Sequence, residues 1–569
     1  MGNKLMTFWG GEADSSDNST DDKNIARKEN IGALTDERMY DLLSKEPDLN
    51  DFIAHDPDEA CIKTLMYQAS KQNNRRAMII ILEFIVRQLK KRLQSSKVRV
   101  WAGEEITGKD HREAVLVCFY SGHCDQSMKY FYDLRIIYRE YCKIDNESST
   151  ARFKELSNRV MTKEMHVLVH QAIKGHGKRL FAEHTNLEAI SSGSIISSKS
   201  RGFVPDGCII VYCRLKGVIP FGEEPFPKQL NLNNGETVAV DVREGFFSYH
   251  SDVIDQLSIK TIDPNIFPQQ NHQLQQHQQF SIPDYSPLRM GCSVGPYGSN
   301  TSGTLGPFVR INGNRTGFLT CAHVLFCNDF DLQRDSPIKI RKDPMRRDVV
   351  QPANSGAICG NVVTAKFGNW TDPTSKDTSH VSDQSCDDTT QYVFGIDAAV
   401  VEITSRFPIT GEFKLKCNQS WKNEGFLQQQ VPSFNTGKSM TFPITCLLES
   451  KVVKVGAETG LTSGQLQSTN CMVRYSSLEG NFKSINKNSG IWHGLMQIVP
   501  PKGTKFCEEG DSGAGIFLVG YDKTLTCIGL NIGNISDGTG VATPIDKVIT
   551  ALNDDSSLQI ELQSFCHEV

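Results

Sequence analysis

The chain has no long apolar run. Its most hydrophobic stretch, Ala77 to Val86, is ten residues long and carries Glu83. A bilayer-spanning helix needs about 20 mainly apolar residues, so no transmembrane segment is expected. The opening Met1-Gly2-Asn3-Lys4-Leu5-Met6-Thr7 lacks an apolar stretch of useful length, so no secretory signal is expected. Gly2 suits N-myristoylation, but the pattern wants Ser or Thr where Met6 stands, and acylation is not expected. The cytosol or nucleus is the expected location, and sequons such as Asn314-Arg315-Thr316 carry no weight there.

A regular cysteine framework is also missing. The 17 cysteines are odd in number and scattered without a repeating spacing. A secreted disulfide scaffold is denser and more regular, so most are read as reduced core residues. No cysteine pair has a second pair at zinc-ligand spacing, and neither a metal nor a cofactor is expected. Strong charge is absent too. The net charge is −5, and nothing global suggests nucleic acid. The basic run Arg87-Gln88-Leu89-Lys90-Lys91-Arg92 reads as the solvated face of a helix.

At 569 residues, two to four domains are expected. Residues 1–30 are polar, rich in Asp, Ser and Asn, and read as a disordered tail. Residues 31–185 read as an α-helical domain, with segments near 58–72, 75–95, 111–143 and 148–175. Proline is absent from 58 through 204, as helices prefer. This region is an ordinary helical bundle or a surface for protein partners. Residues 186–263 read as a small β-rich domain, with strand patterns at Gly207–Cys213 and Thr237–Phe247. Its Asp241, Arg243 and Glu244 form either a charged site or, preferably, a structural ion pair. Residues 264–284 read as a linker, since seven of the eleven positions from Gln269 to Gln279 are glutamine. Short β runs and Gly-rich turns then continue to about 545, where Pro544-Ile545-Asp546-Lys547 opens a closing helix.

Chemistry concentrates in three stretches. Gly510-Asp511-Ser512-Gly513 is a turn with a serine at its apex, and its glycines let a carbonyl approach closely. A serine nucleophile needs a base and a group to orient that base. His323 follows an apolar strand in Gly317-Phe318-Leu319-Thr320-Cys321-Ala322-His323. Asp397 interrupts the apolar run Tyr392 to Val401, where a carboxylate requires a partner. Each motif alone is more often structural. In order they stand His, Asp, Ser, 74 and then 115 residues apart. That is the chymotrypsin order.

Together, Thr320-Cys321-Ala322-His323, Ile396-Asp397-Ala398-Ala399-Val400 and Gly510-Asp511-Ser512-Gly513 resemble trypsin-like serine proteases of the PA clan, of the non-secreted type. Val453 to Gly464 resembles the first hairpin of that clan's second barrel. Gly291-Cys292-Ser293-Val294-Gly295 and Gly303 to Val309 resemble its opening strands. The resemblance covers about residues 285–569 and implies an all-β double barrel of chymotrypsin type. It implies a serine endopeptidase acting on protein or peptide substrates through an acyl-enzyme, with His323, Asp397 and Ser512 as triad. The N–H groups of Gly510 and Ser512 form its oxyanion hole. It places the substrate pocket at Phe506, Ile532, Gly533 and Gly540, with no acidic residue at the base. The position after the histidine is Val324, where secreted members carry cysteine, so reductant is not expected to matter. Ser286-Pro287-Leu288-Arg289-Met290-Gly291 lacks their usual cleaved start. Asp511 therefore needs an internal partner: a lysine, an arginine or a set of N–H groups. The alternatives are a catalytically silent binding module on this fold, and a helical adaptor with an accessory protease domain.

Overall fold

The computed structural model describes residues 36–569 except 95–97, 108–110, 121, 123, 141–142, 144, 146, 149, 152–153, 155–160, 199–201, 249–285, 327–347, 374–391, 416–418, 428–431, 442–446, 476–489 and 567–569. The expected tail at 1–30 and linker at 264–284 lie outside the described residues. The chain divides into two compact units, 1–141 and 142–569. It is mostly β-sheet with some helices, and no described helix is long and apolar enough to cross a membrane.

The first unit opens with helices α1 (Asp36–Ser44), α2 (Glu46–Ala54), α3 (Glu59–Lys71) and α4 (Arg75–Leu93). Side-chain caps start two of them: Asp58 accepts from the Cys61 N–H at 2.7 Å and Asn74 from that of Ala77 at 3.1 Å. Then the chain departs from expectation. Strands β1 (Val98–Ile106), β2 (Arg112–Tyr120), β3 (Tyr130–Phe131) and β4 (Leu134–Glu140) lie within the region read as an α-helical domain, the last three of them inside the segment read as helix over 111–143. The N-terminal region is therefore not all-α. Val115 to Phe119 are buried in succession. A strand buried on both faces shows no period of two, and missing proline is as compatible with strands as with helices.

The second unit begins with helix α5 (Lys163–Glu183) and strands β5 (Leu187–Ser198), β6 (Gly202–Cys213), β7 (Val218–Pro220), β8 (Gln229–Asn231), β9 (Thr237–Glu244) and β10 (Phe247–Ser248). One sheet follows: β11 (Ser293–Pro296), β12 (Gly303–Thr304), β13 (Phe308–Ile311), β14 (Arg315–Thr320), helix α6 (Ala322–Phe326), β15 (Asp348–Val350), β16 (Ile358–Thr371) and β17 (Val393–Ile403). Then come helix α7 (Gln419–Asn423), β18 (Lys451–Gly456), β19 (Gly460–Arg474), β20 (Ile491–Val499), β21 (Gly515–Val519), β22 (Leu525–Ile535), β23 (Gly540–Pro544), helix α8 (Ile545–Asp555) and β24 (Ile560–Leu562).

Strands β12-β11-β15-β16-β17-β14-β13-β24 form one sheet in that order. In the other, β18-β21-β22-β23-β20-β19 close on themselves, because β18 also pairs with β19. The block expected as a separate β-rich domain continues this second sheet. Met472 and Val473 of β19 pair with Ile190 and Ala189 of β5, and β6, β9 and β8 follow outward. Helix α5 covers this extension, burying Val169, Ala172, Ile173, Leu180 and Phe181 against Ile190, Ile209 and Val211. Buried Arg474 ties helix to sheet by donating to the carbonyls of Leu187 (2.9 Å) and Phe181 (3.1 Å). Arg243 donates to Asp241 at 2.8 Å, both buried, while Glu244 accepts the N–H groups of Asp145 and Lys216. These groups are joined within the fold itself, as a structural ion pair would be.

Candidate active site

Strand register brings the first two candidates together. Thr320 of β14 pairs with Ala399 of β17, so the residues just past Thr320 lie beside Asp397. The chain then turns into α6, whose short first turn carries His323. One Asp397 oxygen accepts the His323 backbone N–H at 3.0 Å, and the other faces His323 Nδ1 in direct contact. Asp397 is fully buried and His323 nearly so. The paired carboxylate fixes which ring nitrogen faces inward, and Nε2 is left on the opposite side of the ring.

The serine sits in a turn held on nearly every side. The carbonyl of Gly510 accepts from Thr304 Oγ1 (2.8 Å), that of Asp511 from Asn531 Nδ2 (3.2 Å) and the Ala514 N–H (3.1 Å), and that of Ser512 from the Thr304 N–H (2.7 Å). The N–H of Asp511 donates to Glu508 and that of Gly513 to Asn531. Among the described residues, the N–H groups of Gly510 and Ser512 donate to no protein acceptor, and Ser512 Oγ has no hydrogen-bond partner. A hydroxyl and two uncommitted N–H donors are among the groups that acyl transfer uses, the donors for a developing oxyanion. Gly510 and Gly513 adopt φ of +91° and +93°, which only glycine takes without strain. Ser512 is buried, and so is His323. Among the described residues no hydrogen bond joins Ser512 Oγ to His323.

Asp511 has its internal partner. Lys454 Nζ lies 2.8 Å from Asp511 Oδ2, and both side chains are fully buried. Thr459 Oγ1 (2.6 Å) and the N–H groups of Glu458, Thr459 and Glu508 complete the shell. Burial alone raises a carboxyl. Here the Lys454 ammonium and these hydrogen bonds outweigh it and hold Asp511 below its usual value. Gly456 permits the approach, since a Cβ there would lie 2.0 Å from Asp511 Oδ1. The sequence offered one signal for Lys454, a cation inside the apolar run Val452 to Val455. Thr304, Thr459 and Asn531 carried none.

Of the pocket candidates, Phe506 and Gly540 touch: a Cβ on Gly540 would lie 2.3 Å from the Phe506 ring. Phe506 is fully buried beneath Lys454, whose Nζ is 5.5 Å from the ring centre. The Gly533 carbonyl accepts from Cys507 Sγ at 3.2 Å. Ile532 is buried in a different part of the core from Phe506. The ligand atoms of Cys321, His323 and Asp397 lie within 4.8 Å of one another, close enough to meet one metal ion. Burial, reinforced by Asp397, pushes the Cys321 thiol well above its usual value, and its Sγ donates to the Asn531 carbonyl at 3.2 Å. A protonated, committed thiol is a poor ligand. The described cysteines, Cys321 included, are free thiols.

No protein-family model matches the chain, and no curated protein matches it. Among solved structures it is similar to Thermobifida fusca Protease A at 20% identity, covering 48% of this chain and 98% of that one, with a TM-score of 0.28. It is similar to a glutamic acid specific serine protease at 14% identity, covering 48% and 100%, with a TM-score of 0.28. It is also similar to Cellulomonas bogoriensis chymotrypsin at 15% identity, covering 48% and 98%, with a TM-score of 0.25.

Proposed function

We propose that this protein is a serine endopeptidase of chymotrypsin type, hydrolysing peptide bonds through an acyl-enzyme. One observation carries the reading. In the turn around Ser512 the carbonyls of Gly510, Asp511 and Ser512 are bonded, while among the described residues the N–H groups of Gly510 and Ser512 have no acceptor, and a buried carboxylate holds His323 Nδ1. Ser512 Oγ attacks the scissile carbonyl as His323 Nε2 takes its proton. His323 returns that proton to the leaving amine, and water repeats the sequence on the ester. Asp397 holds the imidazole tautomer and stabilises its cation. The Gly510 and Ser512 N–H groups receive the negative oxygen. The uncharged contact between Phe506 and Gly540 supports a preference for uncharged, apolar side chains, which a peptide-library profile dominated by Arg or Lys would overturn.

The test is labelling by a small fluorophosphonate. The intact protein is expected to take up one label that Ser512→Ala abolishes. A folded Ser512→Ala protein that labels equally and keeps wild-type proteolysis would sink the reading.

A further inference from the structure

Strand β22 has two edges near the serine. Along Gly529 to Asn534 one edge pairs with β23, Asn534 opposite Gly540. The other edge pairs with β21 as far as Leu530, opposite Gly515. Asn531 continues that edge, accepting from the Gly513 N–H and donating to the Ala514 carbonyl, the two residues that follow Ser512. Beyond Asn531 this edge runs on past the serine without β21.

Strand β10 meets it there. Ser248 pairs with Asn534 and Phe247 with Ile535, antiparallel, and the Ser536 N–H donates to the Phe246 carbonyl at 2.9 Å. Asn534 already uses its opposite edge for Gly540, so β10 lies on the edge that leads to Ser512. Its numbering rises toward the serine. An extended peptide that adds a strand to a sheet edge takes that kind of path, with main-chain bonds to alternate residues. Only Ile532 and Gly533 separate Asn531 from Asn534.

The segment is firmly seated. Phe247 is buried, edge-on to Trp492 with ring centres 6.5 Å apart. A Cβ on Gly533 would lie 2.5 Å from the Ser248 carbonyl oxygen and 3.0 Å from the Phe247 ring. Glycine at 533 thus lets the two backbones approach.

Resting on the proposed protease reading, we propose that β10 is a built-in occupant of the substrate-pairing edge and a determinant of specificity. It takes the place of the more distant residues of an extended substrate. Recognition along this edge is confined to the short stretch between Asn531 and Gly533, because the Phe247 ring and the Ser248 carbonyl already lie against Gly533.

The test uses the full chain and a series of peptidyl diphenyl phosphonates, one to five residues long, with the same apolar residue next to phosphorus. Labelling is read as the rate of Ser512 modification, in which Oγ displaces phenoxide from phosphorus. The wild-type rate is expected to rise from one residue to two and then to stay within about twofold, because added residues find the edge taken. Phe247→Ala, which frees the ring's place over Gly533, is expected to restore a gain with length. A wild-type rate that climbs about tenfold or more with the third or fourth residue overturns the proposal, whatever the variant does. If neither the series nor a small fluorophosphonate modifies Ser512, the protease reading itself fails and this inference falls with it. That outcome is distinct from length dependence on a reactive serine.

Discussion

Lys454 Nζ lies 2.8 Å from Asp511 Oδ2 with both side chains sealed from solvent. The pair joins β18 to the residue before the candidate nucleophile, and five donors converge on the carboxylate. An internal ammonium thus supplies the partner that a buried Asp511 needs. Intact chain is therefore expected to label at Ser512 without prior cleavage. Lys454→Met leaves a buried carboxylate unpaired and should cost about 3–5 kcal/mol. It should also lower the labelling rate, because the turn loses its anchor. Pairing it with Asp511→Asn should recover part of the stability. Thermal midpoints and probe kinetics of the three variants check this; a Lys454→Met protein as stable and reactive as wild type would contradict it.

How much of this was legible in the sequence differs between the site and the fold. His323, Asp397 and Ser512 stood out because each breaks its local pattern: a histidine ending an apolar strand, an acid inside one, a serine between glycines. Lys454 broke a pattern too, but it lies 57 residues from Asp511, whose partner the sequence left open as a lysine, an arginine or a set of N–H groups. Strand β2 reads as helix because a doubly buried strand has no alternation to show. The extension formed by β5, β6, β9 and β8 reads as a separate domain because composition shifts sharply at the glutamine-rich stretch. Nothing local reports that Arg474 reaches a carbonyl 287 residues away.

Gly513 offers a second prediction. Its φ is +93°, and a Cβ there would lie 2.4 Å from Thr320 Oγ1 and 2.6 Å from the Thr304 carbonyl oxygen. The second contact is with backbone and cannot swing aside. Gly513→Ala therefore strains the conformation and also forces the turn from β12, the strand that holds the Ser512 carbonyl. The expected result is a loss of about 1–3 kcal/mol and a larger loss of probe reactivity. Wild-type reactivity in Gly513→Ala would show that the turn tolerates displacement.

His493 gives a pH dependence whose sign follows from burial. Burial, with Lys178 adding to it, pushes its folded pKa down to about 4. An unfolded histidine titrates near 6.5, so on acidification the unfolded chain takes the proton first. The stability tied to neutral His493 is complete above about pH 6.5 and is lost as pH falls from there toward 4, by at most about 3 kcal/mol. Thermal midpoints of wild type and His493→Gln at pH 7.5 and 5 check this. The wild type should lose more on acidification than the variant, and equal slopes would rule the effect out.

The triad prediction is the most demanding, because it concerns a unit and not a list. Asp397 binds the His323 backbone and ring at once, so it sets both the position and the tautomer of the base. Removing Ser512 or His323 removes the proton-transfer path, and either loss makes the other irrelevant. Ser512→Ala and His323→Ala should each lower turnover on the order of 10⁶-fold, and the double variant should lose little more. Asp397→Asn keeps the shape but offers the wrong tautomer a hydrogen bond, and should cost on the order of 10⁴-fold. Stability separates the roles. Ser512 Oγ has no hydrogen-bond partner to lose, so Ser512→Ala should fold as wild type or slightly better. Asp397→Ala strands a buried imidazole and an N–H and should cost about 1–3 kcal/mol. Circular dichroism establishes folding, thermal melts give the stability order, and turnover on a protein substrate gives the rates. If the Ser512→Ala and His323→Ala losses multiply in the double variant, the two residues act independently and the unit does not exist.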